Sequence, residues 1–450
     1  MHLGIERILP DILYASGWLA ALLSIIWNPR VGVYYVIPLL PLQTVRYRMH
    51  AYPLGQSMID IVLLVVIVGV YLRRTGPELF LRTKMDKVLV TFIIFYYLWL
   101  WRGAFYLGGP FPLYISDPRF SDWKNYVELP VIFWVVSTVI RTPKQMKILL
   151  VLMALSVLMV NRSFHSTMGD RNVSHFSYGV RYAGALGYAG ENGLGAFEAE
   201  FTLFLIGLYS YQKRWLYKLP MLLVIGTSIY CLIFTFSRGA YLAMVVGLLF
   251  LGFVKKRSLL LIAIGVVLAW QVVLPKAVQE RLTMTYSADG QLESSAEERV
   301  DLWEDAMAVI RANPLIGTGY ETYEFMARVG PYRDTHNLYL KVMLETGIFG
   351  LVLILVLMGK AFRAGWELSR CTQDPFLASI GLGFAALMLS AMVANFFGDR
   401  WTYQQVSGYL WAAMGLVARG HALRQDGDAT SSADAEPSAV PLEEEIPSAR

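Results

Sequence analysis

The sequence is short of charge: 16% of its 450 residues are Asp, Glu, Lys or Arg, against about 25% in a soluble protein. That shortage excludes an ordinary water-soluble domain. Cysteine is nearly missing. Cys231 lies within an apolar run and Cys371 in a loop, so their expected depths are too different for a bridge. Histidine is scarce too, with only His2, His50, His165, His175, His336 and His421. None has the paired spacing of a zinc helix, so neither a metal site nor a cofactor is expected. There is no P-loop and no nucleophile elbow. Residues 1–11 carry two acids and no small-residue cleavage site, which argues against a cleavable signal peptide. A net charge of +5 is modest and gives no sign of nucleic-acid binding.

What the chain does have is apolar sequence, 56% of the total. Long apolar runs recur from end to end, the pattern of a polytopic membrane protein in contact with the lipid bilayer. Only helices and closed barrels satisfy their backbone in lipid. The runs are unbroken rather than alternating, which selects helices. The predicted fold is all-α, with about 12–13 transmembrane helices and one large outer loop carrying an amphipathic helix. Spans are expected near 12–27, 31–44, 57–72, 88–102, 125–140, 147–161, 196–211, 219–236, 239–254, 258–274, 346–362, 376–397 and 403–418.

Five basic loops alternate along this pattern and share one side, the cytoplasmic side by the positive-inside rule. They centre on Arg73–Lys87, Arg141–Lys147, Lys213–Lys218, Lys255–Arg257 and Lys360–Arg370. Arg46 and Arg48 fall on the outer side against the rule. The organisation expected is 1–161, N-terminal transmembrane helices; 162–274, central transmembrane helices with a Ser-Arg-Gly corner; 275–345, the outer loop; 346–418, C-terminal transmembrane helices; and 419–450, a disordered cytoplasmic tail poor in apolar residues.

Within the outer loop, Ser295-Ala296-Glu297-Glu298 reads as a capping box. Val300, Trp303, Met307 and Ile310 follow as an apolar stripe, and Asn313-Pro314 ends the helix. Such a helix would cover the space between the membrane helices. Arg299 falls in its first turn, where the helix dipole disfavours a cation; acidic neighbours or an anionic ligand would account for it.

Several further residues could carry chemistry. Arg238, in Phe236-Ser237-Arg238-Gly239-Ala240, lies between two apolar runs with hardly any loop, a costly place for a charge. It could snorkel to headgroups or bind an anion, since a guanidinium grips phosphate with two parallel bonds. Arg181 precedes a glycine-rich stretch ending in Gly190-Glu191-Asn192-Gly193, whose amides could bind an anion or a sugar. His336-Asn337 stand at the mouth of a span, followed by Tyr339 and Glu345. Glu198 and Glu200 are expected in the first turn of their span, complementing its dipole. Asp399 and Arg400 share a tight outer turn and could pair. His165 and His175, with Arg162 and Arg171, suggest a basic outer patch.

Together these residues resemble the bacterial O-antigen ligase family, which includes O-antigen polymerases and protein O-oligosaccharyltransferases. Three ordered blocks carry the resemblance: Phe236–Ala240; Arg299 through Trp303 to Asn313-Pro314-Leu315-Ile316-Gly317-Thr318-Gly319; and His336-Asn337 through Leu340, Glu345, Gly347 and Gly350. Arg181–Asn192 is a looser fourth, with Gly190-Glu191-Asn192 where the family often has Asn-Pro-Asn. The resemblance implies a multi-pass protein of the bacterial inner membrane with its active site facing the periplasm. It implies a glycosyltransferase whose donor is a glycan on undecaprenyl pyrophosphate and whose acceptor is a hydroxyl of a glycan, glycolipid or protein. On that reading His336 is the catalytic base. Arg238, Arg181 and Arg299 bind the pyrophosphate, and Asn337, Tyr339 and Glu345 orient the histidine or bind sugar. A polymerase using the same donor is the nearest alternative. A glycolipid transporter is the other, disfavoured because the polar clusters gather on one side only.

Overall fold

A computed structural model describes residues 5–114, 116–284, 294–326, 328 and 334–433; for 5–7, 294–296 and 427–433 it describes the backbone only. Among the described residues there are eighteen α-helices and no strand. The chain belongs to the all-α polytopic class.

The N-terminal part comprises α1 (Ile5–Ile26), α2 (Arg30–Leu39), α3 (Gln43–Tyr47), α4 (Met58–Leu72), α5 (Asp86–Leu107), α6 (Pro118–Val139) and α7 (Pro143–Gly169). The central part comprises α8 (Gly190–Tyr211), α9 (Trp215–Phe234), α10 (Arg238–Val254) and α11 (Arg257–Leu268). The outer segment holds α12 (Trp270–Val273), α13 (Lys276–Thr283), α14 (Ser294–Ala312) and α15 (Thr322–Met326). It leads into α16 (Leu338–Cys371), α17 (Pro375–Ala394) and α18 (Gln404–Ala433). Seven helices (α1, α4, α5, α7, α9, α16 and α17) are long and apolar enough to cross a membrane, and α10 and α11 are shorter apolar helices.

Contacts between turns sort the helix ends into two faces. On one, Arg419 donates to the Ser137 carbonyl, His421 meets the Ala364 carbonyl, and Lys255 lies over the Tyr211 ring. This face collects the predicted basic loops. On the opposite face, called outer after the expected orientation, Gln43 reaches Tyr188, Arg238 reaches Met284 and Lys341 reaches Asp399.

At the centre is α17, most of it buried. Small residues let it approach its neighbours closely, the usual device for helix association in lipid. A Cβ on Gly207 of α8 would lie 2.3 Å from the Gly383 Cα of α17. Any side chain at this crossing would force the two helices apart.

Arg46 finds an explanation here. Pro38 and the end of α2 at Leu39 stop the helix short, and the chain turns back through α3. Arg46 is thereby folded inward, donating to Gln404 Oε1 (3.0 Å) and to the Leu40 carbonyl (2.9 Å). Gln404 in turn donates to Glu128, which pairs with Lys124, itself paired with Asp60. The arginine is part of an internal polar network, so it does not count against the positive-inside rule.

Three expectations need correction. Glu198 and Glu200 are not in a first turn, because α8 begins at Gly190; both are buried in the bundle. With its amide oriented to satisfy both ends, Asn161 donates to Glu198 Oε1 (2.8 Å) and accepts from the hydroxyls of Thr227 and Ser228 (3.0 Å each). The stripe of α14 is rotated: Leu302, Ala306, Val309 and Ile310 are buried, while Val300 and Met307 are exposed. The small Ala306 faces Leu344 of α16, which selects that face. The final span does not stop at 418, since α18 runs on to Ala433 into the expected tail; Ala418, Ala422 and Leu423 are good helix formers. Residues 434–450 lie outside the described residues. Three residues of the suspected basic patch have contacts of their own. His175 meets Glu280, Arg171 donates to the Gly179 and Arg181 carbonyls, and His165 lies against the Tyr230 ring.

Candidate functional site

The outer site is built around a break in α16. At Gly347 the backbone turns to φ 65°, ψ −166°, which interrupts the helix about 13 Å below its outer end. The break frees the carbonyls of Leu344 and Glu345, and these accept from the amides of Thr318 (3.1 Å) and Gly319 (2.7 Å). Ile348 N donates back to the Pro314 carbonyl (3.0 Å). On its other side the same loop is held by α5. Trp99 Nε1 donates to the Ile316 carbonyl (2.7 Å), Tyr320 N donates to the Trp99 carbonyl (2.9 Å), and Arg102 reaches the Gly317 carbonyl (3.3 Å). Irregular backbone at membrane depth survives only where protein satisfies it, and here every one of these groups is paired. Glycine is required on both strands of the contact. A Cβ on Gly347 would lie 2.1 Å from the Leu315 carbonyl oxygen, and one on Gly319 would lie 2.1 Å from Gly103. The Asn313–Gly319 and Glu345–Gly350 blocks, separate in sequence, are one interlocked unit.

Above the break stands a buried charge cluster. Lys341 Nζ lies 3.2 Å from Glu321 Oε1 and 3.5 Å from Asp399 Oδ2. Glu345, also buried, lies one turn further along α16, and its Oε1 has no hydrogen-bond partner among the described residues. Asp399 also accepts from Trp401 N, Thr402 N and Thr402 Oγ1 (2.7 Å). So Asp399 pairs with Lys341 and not, as its sequence neighbour suggested, with Arg400. Sequence reasoning passed over Lys341, Glu321 and Asp399 as a set. The available signal was a lysine inside an amphipathic first turn running into an apolar span.

His336 stands just before this helix. Its backbone has φ 48°, a left-handed conformation uncommon for a residue with a side chain. Its Nδ1 is 2.9 Å from Asp334 Oδ1, which also accepts the His336 amide (2.7 Å). Burial alone would raise the Asp334 carboxyl. The His336 hydrogen bonds and the charges of His336 and Lys341 outweigh that and hold it well below the usual carboxylate range. An ionised Asp334 assigns the ring proton to Nδ1 and leaves Nε2 as the basic nitrogen. Asn337 is the N-cap of α16, its Oδ1 accepting from Tyr339 N (3.0 Å) and Leu340 N (3.2 Å). Tyr339 donates to the Met392 carbonyl (2.7 Å) and packs on Phe396. Asn337 and Tyr339 thus hold the histidine's platform.

Arg299 is in the second turn of α14, not the first, because the helix begins at Ser294. It shares a stripe with Trp303, four residues on. Trp303 Nε1 donates to the Thr335 carbonyl (3.0 Å), tying α14 to the residue before His336. The start at Ser294 puts Ser295 inside the helix rather than at its N-cap, so the expected Ser295–Glu298 capping box does not open it; the Ser295 side chain lies outside those described.

The other cations gather at the start of α10. Arg238 Nη1 donates to the Met284 carbonyl (2.9 Å). Arg181 donates to Asn192 Oδ1 (2.8 Å) and to the Thr235 carbonyl (3.2 Å). Burial lowers the Arg181 guanidinium; Glu191 opposes this and Arg281 adds to it. Arg281, which sequence reasoning missed, is buried against the rings of Phe176 and Tyr178 and reaches Met284 Sδ. Phe236, at the preceding corner, is a second left-handed residue, φ 54°. The outer turn 395–400 joins the two halves. Phe396 packs on Tyr339, and Phe397 lies where any Cβ on Gly239 would collide with it, at 2.7 Å.

Residues 221–355 match the family model described as O-antigen ligase. The match takes in the Arg238 corner, α14, the interlocked loop and the His336 segment, so this stretch of the chain is similar to the O-antigen ligase family. This supports an activity of the ligase or polymerase type. A search of curated proteins finds no match.

Proposed function

From the similarity of residues 221–355 to the O-antigen ligase family, we propose that this protein is a membrane glycosyltransferase moving a glycan from undecaprenyl pyrophosphate to an acceptor hydroxyl. The outer face would be the periplasmic one. The observation that carries the reading is the Asp334–His336 pair, 2.9 Å apart, held on a left-handed backbone at the mouth of α16. Asp334 keeps the ring in the tautomer that presents Nε2, and Nε2 takes the acceptor hydroxyl's proton as the oxygen attacks the anomeric carbon. The bond from that carbon to the pyrophosphate oxygen breaks, and the lipid pyrophosphate leaves with the electron pair. Arg238, Arg181 and Arg281 meet its charge, with Arg299 on the α14 side. Attack opposite the leaving group inverts the anomeric centre.

The test uses purified protein, lipid-linked donor and acceptor, with donor binding and turnover measured separately. His336→Ala should reduce turnover by roughly a hundredfold or more and leave donor binding intact. Normal turnover, or failure through lost binding alone, would remove the general-base role. Supplying a lipid A core or a second lipid-linked glycan as acceptor separates ligase from polymerase. Orientation is tested by impermeant thiol labelling of spheroplasts carrying Glu304→Cys in a Cys371→Ala background. That position should label, and native Cys371 on the basic face should not. Reversed labelling would place the site in the cytoplasm and end the proposal.

A further inference from the structure

On the basic face, away from the site above, a cavity of about 900 Å³ opens between α7, α8, α9 and the start of α17. Its walls are largely aliphatic, including Leu158, Leu205 and Val224. It runs along α7 from Lys147 to Leu158, about 16 Å at the helical rise. That equals half of a hydrocarbon core about 30 Å thick, so its depth is one leaflet. The mouth carries two exposed cations, Lys147 and Arg214. Lys147 Nζ sits 4.8 Å over the Phe376 ring at the lip. The acid at the mouth, Asp374, does not face them unengaged: its Oδ1 caps α17, accepting from Phe376 N (2.7 Å) and Leu377 N (3.3 Å).

We propose that this cavity binds one phospholipid with an anionic headgroup, drawn from the leaflet on the basic face. The acyl chains fill the aliphatic chamber, and Lys147 and Arg214 hold the phosphate and the remaining headgroup charge. The depth of one leaflet fixes the orientation, with the headgroup at the cations and the chain ends near Leu158. A protein partner is a poorer fit, since the walls are mostly aliphatic and offer few polar groups, among them Gln212 and Ser379, to meet a partner's backbone. The site is independent of the glycosyl-transfer reading: it opens on the face opposite Asp334–His336.

The test places the purified protein in nanodiscs of phosphatidylcholine with a minor fraction of phosphatidylglycerol. Lipids that stay bound on transfer to detergent are then counted by native mass spectrometry. Phosphatidylglycerol should be enriched roughly tenfold or more over its share in the disc. The Lys147→Ala/Arg214→Ala double variant should lose that enrichment. Leu155→Trp fills the chamber while keeping both cations, and should lower retention of both lipids. All three side chains are exposed, and a salt titration of the unaltered protein supplies a check without any variant: raising the ionic strength should strip phosphatidylglycerol selectively. No enrichment, enrichment that survives loss of both cations or high salt, or retention untouched by Leu155→Trp would each overturn the proposal.

Discussion

Replacing Lys341 with methionine keeps the apolar stem and deletes the ammonium. Lys341, Glu321 and Asp399 have side chains only 10%, 9% and 2% exposed, so water cannot take over the lost contact. At separations near 3.3 Å, each pair has a gross attraction of roughly 5 kcal/mol at an effective dielectric of 20. Most of that is offset by the cost of burying the charges. The loss on removing one partner is set by the carboxylates left stranded, about 3–5 kcal/mol. With an unfolding entropy of about 2.1 cal/mol/K per residue, 1 kcal/mol corresponds to roughly 1 °C in a chain of this length. The variant should therefore unfold about 3–5 °C lower in one fixed detergent, followed by tryptophan fluorescence. Asp399→Asn retains the turn's hydrogen-bond geometry, so in the Lys341→Met background it should cost less than in the unaltered protein. A midpoint within about half a degree of the unaltered protein, or additive effects of the two changes, would show that the cluster is not the coupled unit described.

Four other outcomes follow from the site. Asp334→Asn should reduce transfer at least tenfold. Because the folded Asp334 carboxyl is depressed, its stabilisation is complete above the ordinary aspartate value of about 3.9 and fades as pH falls through the lower folded value. The stability gap between Asp334→Asn and the unaltered protein should close only below about pH 4, and a gap that closes between pH 6 and 8 would contradict this. Arg238→Lys should recover little of the transfer lost in Arg238→Ala, because a point charge cannot replace a two-pronged grip; full recovery would make it a general positive charge. Gly347→Ala meets both a positive φ and the Leu315 carbonyl and should abolish folded yield, whereas Gly359→Ala in the same helix, with open space around it, should be neutral or slightly stabilising. Transfer should continue in excess chelator, since the Lys341 ammonium stands between Glu321 and Asp399; loss restored by a divalent ion would reveal a metal requirement.

Much of the helical framework is legible from hydropathy, because lipid demands long unbroken apolar segments. The departures occur where tertiary contacts override that signal. The span expected from residue 346 is a helix from Leu338, because its first turns carry Lys341, whose charge is paired inside the bundle, and the buried Glu345. The apolar run begins almost where the helix breaks, so hydropathy registered the break as a start. Glu198 was misplaced for a related reason: glycines at 190, 193 and 195 look like loop, yet they open α8. His336, Arg238 and Arg181 were visible as cations and a histidine at outer helix ends. Arg281 was not, because nothing in Lys276–Thr283 distinguishes a buried arginine from a solvated one. Glu321 was hidden equally well, since its role depends on a left-handed backbone at φ 56°.

The loop threaded into the α16 break also sets a clock for biosynthesis. Trp99 and the Ile316 carbonyl it binds are 217 residues apart in the chain. At synthesis rates of about 5–20 residues per second, the outer half of α5 is made roughly 10–40 s before its partner exists. Throughout that interval the Trp99 indole and the Arg102 guanidinium stand in the nascent protein without the carbonyls that later accept from them, and the seat of the loop stays open. The break itself forms later still, because Leu344 and Glu345 emerge after the segment they clasp. The outer site is therefore the product of a late closing step, reached only after helices α1 to α14 have been made and the chain has doubled back onto α5.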